Sequence, residues 1–195
     1  MKNLTLLFAF ILLVLTACNS KEADTSKNQS HLNKLNNSTI IDEELDVSFN
    51  APLDWKEMNT ALSEKMVARI KKRGEDEFIV YSPKLFFFED STNSLLRVGE
   101  VNLKDNTNAE SLSIKQYSKL FRKYNREFTI ESEKLQSNNM DILQMKLTRN
   151  KLISFKYLFK NHTGKIIQFD FSIKKENLES LYPQIMASVK SIKLL

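Results

Sequence analysis

The chain is poor in the residues on which most enzymes and many exported domains rely. Of 195 residues, one is cysteine, two are histidine, three are glycine and three are proline. A lone cysteine excludes an intrachain disulfide. Gly74, Gly99 and Gly164 are too few and too scattered for a loop that wraps phosphate with backbone N–H groups. His31 and His162 lie far apart, and neither has a second ligand at i+3 or i+4. Gly-x-Ser-x-Gly and His-Glu-x-x-His are missing as well, so no nucleophile system is visible. Glu75-Asp76-Glu77 and Glu89-Asp90 lack the alternating oxygen ligands and Gly turn of a calcium loop, and read as solvated charge. The expectation is a non-enzyme that uses no metal and no cofactor.

One stretch is rich where the rest is sparse. Lys2 gives a short positive start, and Leu4 to Leu15 is apolar except for Thr5. A spanning helix needs about 20 apolar residues, whereas a run of about a dozen has the length of a signal peptide. It leads into Leu15-Thr16-Ala17-Cys18. These four residues resemble the lipobox of bacterial lipoproteins, in which a signal peptidase cuts before the cysteine and the thiol carries diacylglycerol. The resemblance implies a signal peptide over 1–17, a mature chain starting at Cys18 and two or three acyl chains on that residue. Each buried methylene contributes about 0.8 kcal/mol, so two chains hold a protein stably where one does not. Asn19 follows the cysteine, and the Asp that signals inner-membrane retention in some bacteria is absent; the outer membrane is favoured over the inner.

Charge is distributed unevenly. The whole chain carries +5, with 29 basic and 24 acidic side chains. Removing 1–17 takes away one Lys and no acid, which leaves 28 against 24. Residues 18–44 hold three Lys and five acids, so 45–195 keeps 25 basic and 19 acidic residues. That excess draws the domain only weakly to anionic surfaces, and nucleic acid is not an expected partner outside the cytoplasm. The polar, Asn-rich stretch from Asn19 to about Thr39 lacks the apolar content to offset the entropy of ordering. It reads as a leash with a typical reach of about 25 Å. The organisation is therefore signal peptide 1–17, lipidated cysteine and tether 18–44, and one domain over 45–195, with Ile40 or Leu45 as its start.

Periodicity in the domain alternates between 2 and 3.6. Leu45, Val47 and Phe49 alternate with polar residues as a strand does, and Pro52 ends that run. Leu62, Met66 and Ile70 predict a helix over 60–73, with Gly74 as its stop. Phe78–Tyr81 and Leu85–Phe88 read as short strands around Pro83, and Leu95–Leu103 as another, with Gly99 marking a bulge or a close contact. Ser113 and Gln116 fit a capping box for a helix from Ile114, with Ile114, Tyr117, Phe121 and Tyr124 on one face. Four antiparallel strands follow, turning at Ser137–Asn139, Arg149–Lys151 and Asn161–Gly164; apolar residues take one face, and Lys, Gln, Asp and Ser the other. A last amphipathic helix runs from Leu178 to Ile192, its main part starting near Leu181 or Tyr182 because Pro183 suits a first turn. The fold class is α+β, an antiparallel sheet covered by helices.

That element order, with Phe49-Asn50-Ala51-Pro52-Leu53-Asp54-Trp55 near its start and Gly164–Phe171 followed by Ile185–Ile192 at its end, resembles the PsbP-like (Mog-type) α/β/α sandwich family. The resemblance covers about residues 45–195. That family includes a photosystem extrinsic subunit, a small GTPase-binding protein and many bacterial lipoproteins. It implies a binding or assembly module without catalysis, and carries no functional residues over to this chain.

One surface feature rises above background. Lys115, Lys119, Arg122 and Arg126 follow i, i+4, i+7, i+11 on the helix from Ile114, with Lys123 alongside. This basic stripe suits an acidic partner or an anionic surface, and its bland alternative is a solvated polar face. His162 reads as a turn residue, and Trp55 as a lid on the core rather than a stacking platform. The expected function is a membrane-anchored, non-catalytic lipoprotein that docks an envelope protein. The alternative is a carrier of a small apolar ligand, suggested by Phe86-Phe87-Phe88 among 13 Phe and 5 Tyr. Asp170 and its outward-facing neighbours are the residues an enzymatic pocket would use.

Overall fold

The computed structural model of the protein describes residues 39–73, 79–103 and 113–195. The expected signal peptide, Cys18, the expected leash as far as Ser38, Gly74, Glu75–Glu77 and Phe78 lie outside the described residues.

Alternating patterns and turn residues build two antiparallel sheets. The smaller joins β1 (Ile40–Asp42), β2 (Val47–Phe49) and β10 (Lys193–Leu194) in the order β1-β2-β10. Ile40 pairs with Phe49, so paired structure begins at the earlier of the two expected starts and includes residues read as tether. The larger sheet has seven strands in the order β3-β4-β5-β9-β8-β7-β6. They are β3 (Lys56–Glu57), β4 (Ile79–Glu89), β5 (Ser94–Leu103), β6 (Thr129–Ser137), β7 (Met140–Arg149), β8 (Leu152–Lys160) and β9 (Ile166–Lys174). The last four form the expected meander. Asn138 and Asn139 both adopt positive φ, 48° and 62°, which gives their hairpin the twist its strands require.

Pro83 does not split β4 into two strands. The register slips between Pro83 and Leu85, and the resulting bulge absorbs the proline within one continuous strand. Gly99 faces it across the sheet. A Cβ on Gly99 would lie 2.2 Å from the Ser82 carbonyl oxygen and 2.4 Å from Pro83 Cα, so the two backbones meet where only glycine fits.

Three helices complete the described fold: α1 (Thr60–Arg73), α2 (Ile114–Tyr124) and α3 (Leu178–Ser191). The Asn59 side chain accepts the Leu62 N–H at 3.0 Å and starts α1. Leu62 is 44% exposed, so the expected apolar face of α1 is buried only in part. A 3₁₀ turn at Lys175–Asn177 leads into α3, which begins at Leu178 and carries Pro183 in its interior. Proline there removes one backbone bond, and the burial of Leu181, Ile185 and Val189 offsets the loss.

The expectation of one apolar face shared by the four strands does not hold. Phe155, Tyr157, Phe159, Phe169 and Phe171 face α3 with Leu181, Ile185 and Val189. Leu143, Met145 and Leu147 of β7 point the other way and join Leu158, Ile166, Tyr117 and Phe121 beneath α2. Apolar clusters therefore form on both faces, one with side chains of α3 and the other with side chains of α2, and the face carrying Lys, Gln, Asp and Ser is largely buried. The fold is α+β, with a predominantly antiparallel sheet.

Candidate functional site: a basic helix seated on a buried charge cluster

The α2 helix starts as its sequence requires. Ser113 Oγ accepts the Gln116 N–H at 3.1 Å, and Gln116 Oε1 accepts the Ser113 N–H at 2.8 Å. This capping box satisfies two N–H groups that the first turn leaves without helical partners. The apolar face then docks. Tyr117 is 2% exposed and stacks on Phe121 at 5.6 Å. Its hydroxyl donates to Gln168 Oε1 at 2.6 Å. Tyr124, expected on this face, is instead 59% exposed at the C-terminal end.

Docking turns the basic stripe outward. Lys115, Lys119, Arg122 and Lys123 are all exposed on α2, and Arg126, also exposed, lies just past its end. Arg122 is pinned to β6, donating to the Ile130 carbonyl at 2.7 Å and to Ser132 Oγ at 2.5 Å. Lys123 Nζ sits 5.4 Å from the Tyr124 ring centroid. Among the described residues none of the five pairs with a carboxylate. Arg122 and Lys123 in the last turn also complement the negative end of the helix dipole.

Beneath α2 lies a cluster around Asp170, which the sequence placed among outward-facing residues and the fold buries. Arg97, Asp170 and Lys156 are cross-strand neighbours on β5, β9 and β8, one row across the sheet. Asp170 is 1% exposed. Its Oδ2 accepts from Arg97 at 2.6 Å and from Lys156 at 2.8 Å, while Oδ1 accepts from Ser154 Oγ at 2.7 Å. Burial pushes the Asp170 carboxyl up, but Arg97, Lys156 and the Ser154 hydroxyl outweigh it and hold the group at about 2. Arg97 is raised in turn, chiefly by Asp170. Lys156 Nζ also lies 5.3 Å from the Phe121 ring centroid and 5.9 Å from that of Tyr81, so cation and rings join sheet to helix. Burial, with Asp170 next, pushes the Tyr81 hydroxyl well above its ordinary value.

This arrangement fixes charge rather than moving protons. Asp170 stays ionised, both cations are committed to it, and Tyr81 stays neutral at physiological pH. The signal for it was present in Phe155-Lys156-Tyr157 and Phe169-Asp170-Phe171, where charges of opposite sign sit between large apolar residues on adjoining strands. A charge in such a place is expected to have a partner.

The remaining candidates resolve simply. His162 lies in the β8–β9 turn, and its backbone N–H donates to Asp46 Oδ2 at 2.9 Å. That bond and the imidazole hold the Asp46 carboxyl below its ordinary value against the opposing effect of burial. Trp55 is 4% exposed and packs edge-on against Phe171 at 6.0 Å. Glu89 accepts from Ser91 and Thr92, and Asp90 pairs with Lys56 at 3.1 Å. The hydrogen bonds from Thr92 and Ser91 hold the Glu89 carboxyl at about 2. Among the described residues, no three His, Cys, Asp or Glu side chains gather as metal ligands. No helix among them is long and apolar enough to cross a membrane. A shallow depression of about 460 Å³ is lined by Asn138, Asn139, Met140, His162, Lys193 and Leu194.

The fold and this surface define an α+β protein with a basic helix packed on its sheet. The chain is similar to the solution structure of cyanobacterial PsbP (CyanoP) from Synechocystis sp. PCC 6803, with 14% sequence identity and a TM-score of 0.47, over 81% of this chain and 92% of that one. No protein-family model matches the chain. No curated protein matches it in sequence.

Proposed function

We propose that the protein is an exported, non-catalytic lipoprotein, held to a membrane by acyl chains on Cys18, whose domain is a binding or assembly module of the cell envelope. On this reading the domain is a PsbP-like α/β/α sandwich, and the outer membrane is favoured over the inner. The apolar run before Leu15-Thr16-Ala17-Cys18 supports the anchor. The helices on opposite faces of the sheet support the sandwich. One observation carries the binding role: Lys115 and Lys119 are exposed one turn apart on α2, without a carboxylate partner among the described residues. An acidic protein surface is the complementary partner.

The alternative, a carrier of an apolar ligand, calls for an interior cavity lined by Phe and Met. Phe86 and Phe87 are instead 2% and 1% exposed, and Phe87 meets Phe49 edge-to-face at 5.9 Å. Such packing is how an ordinary core uses its rings.

A pull-down from detergent-solubilised envelope tests the reading, comparing wild type with the Lys115→Glu/Lys119→Glu variant by mass spectrometry. The expected result is a specific partner that the variant fails to retain. A partner retained by both would move the contact off α2. A bound small molecule with no protein would replace the module by the carrier.

A further inference from the structure

A second basic surface lies at one end of the seven-stranded sheet, where three stretches of chain meet. Arg149 ends β7, Leu152 begins β8 as its cross-strand partner, and Lys174 ends β9 opposite Leu152. The Lys175 N–H donates to the Lys151 carbonyl at 2.7 Å, tying the 3₁₀ turn to the β7–β8 turn. The stretch after α2 joins them: the Arg149 guanidinium lies 5.5 Å from the Phe128 ring centroid and 3.6 Å from Glu127. Lys123, Arg126, Arg149, Lys151, Lys174 and Lys175 thus surround this end. Of the acids at this end, Glu127 pairs with Arg149, Glu176 with Lys174 at 3.8 Å and Asp90 of the β4–β5 turn with Lys56, while Glu89 accepts from Ser91 and Thr92 and Glu179 is exposed in the first turn of α3. Among the described residues, Lys123, Arg126, Lys151 and Lys175 have no carboxylate partner.

Two large apolar side chains stand out among these cations. Tyr124 is 59% exposed and Leu152 is 60% exposed. An exposed Tyr and Leu ringed by Lys and Arg is the composition that enters the boundary between headgroups and acyl chains. At the opposite end of the sheet Asp46, Asn138, Asn161 and His162 bond one another or nearby backbone, Lys165 pairs with Glu100 at 3.1 Å, and Lys160 is exposed.

We infer that this end of the domain docks on anionic lipid headgroups of the membrane that holds the protein, with Lys and Arg on phosphates and Tyr124 and Leu152 inserted between them. This rests on the anchoring reading of Cys18 and deepens it. The chain from Cys18 to Ile40 spans at most about 75 Å when extended, against about 30 Å for a nine-residue strand such as β8. Such a tether permits either end of the sheet to face the bilayer, and the basic end decides which.

Labelling of native lysines tests the surface in the full chain. Protein is reconstituted with vesicles of phosphatidylcholine, or of phosphatidylcholine mixed with phosphatidylglycerol, and treated briefly with an amine-acylating reagent. Mass spectrometry compares Lys123, Lys151 and Lys175 with Lys160, exposed at the far end of β8. The expected result is a several-fold drop in that ratio in anionic vesicles, reversed by high salt and by the Arg126→Glu/Lys174→Glu variant. Equal ratios in the two lipids would overturn the inference, as would protection that survives in the variant. Protection that needs added envelope protein, in neutral vesicles as much as in anionic ones, would assign the surface to an acidic protein and overturn the lipid reading. The same digest shows whether Cys18 is acylated. An unacylated Cys18 with lysine protection retained sinks the anchor but keeps this surface; an acylated Cys18 without protection does the reverse.

Discussion

The two faces of the seven-stranded sheet reach burial by different chemistry. Under α3, Phe155, Tyr157, Phe159, Phe169 and Phe171 meet Leu181, Ile185 and Val189, and every one of these residues is buried. Several ring pairs there meet edge-on, such as Phe49 on Phe169 at 4.8 Å and Tyr157 on Phe171 at 5.8 Å, while Phe155 and Tyr157 are stacked. Under α2, Met145, Leu147, Leu158 and Ile166 share the space with Lys156, Gln168 and Asp170. The first face is held by area removed from water, which is non-directional. The second also depends on direction, because each polar group must find its partner. The α3 face should tolerate volume-conserving exchange, whereas the α2 face should not tolerate loss of a single charge.

Truncation measures that difference most directly. Phe169→Ala is expected to cost about 3–5 kcal/mol, through lost burial and a cavity. Asp170→Ala removes far less apolar volume but takes away the carboxylate that Arg97 and Lys156 share, so a similar loss of about 3–5 kcal/mol is expected. Urea unfolding of both variants checks the pair. The sharper comparison replaces Arg97, Asp170 and Lys156 together by Met, Leu and Met. A variant as stable as wild type would show that the cluster supplies orientation rather than net stability.

Acid separates the faces next. The Asp170 carboxyl is held at about 2 in the fold, against an ordinary value of 3.8. A depressed value means that the unfolded chain takes up the proton first as pH falls. Stability from this group is therefore complete above about pH 4 and is lost as pH falls through about 2, by about 2 kcal/mol. Unfolding followed between pH 5 and pH 2 should be less steeply pH-dependent in Asp170→Asn than in wild type. Equal slopes would place the acid sensitivity elsewhere, with Glu89 the next candidate.

The smallest effect tests how α2 is held. Ser113→Ala removes one half of the capping box and is expected to cost about 1 kcal/mol. That loss should appear as faster hydrogen exchange in the first turn of α2, with α3 unchanged. Equal change in both helices would mean that the two faces unfold as one unit.

Much of this comparison was legible along the chain. The bounds of α1, the capping box of α2, the turns at Ser137–Asn139 and Asn161–Gly164, and the close contact at Gly99 follow from local rules, because each depends on a few neighbouring residues. Three of the misreadings share one cause, whereas Pro83 and Pro183 were misread because a bulge and a buried helix face offset what proline removes. Leu143, Met145 and Leu147 alternate just as Phe155, Tyr157 and Phe159 do, and period alone does not say which face a strand turns to which helix. Tyr124 fits the helical repeat of Ile114, Tyr117 and Phe121, but as the last residue of α2 it stays outside the cluster those three join. Residues 40–42 read as tether because their partner, Phe49, is recognised only once β2 has been placed.

By itself the sequence determined the class of element at nearly every step, the absence of cysteine pairs, and the basic stripe of α2, since these are properties of composition and short-range spacing. Tertiary structure alone decided that apolar clusters form on both faces of the sheet and that Arg97, Asp170 and Lys156 form one cluster. It also decided that Arg126, Lys151 and Lys175 share one end. Register brings Arg97 beside Asp170 from 73 residues away. No local pattern encodes a contact at that separation, because it arises only when strands distant in the chain are laid side by side.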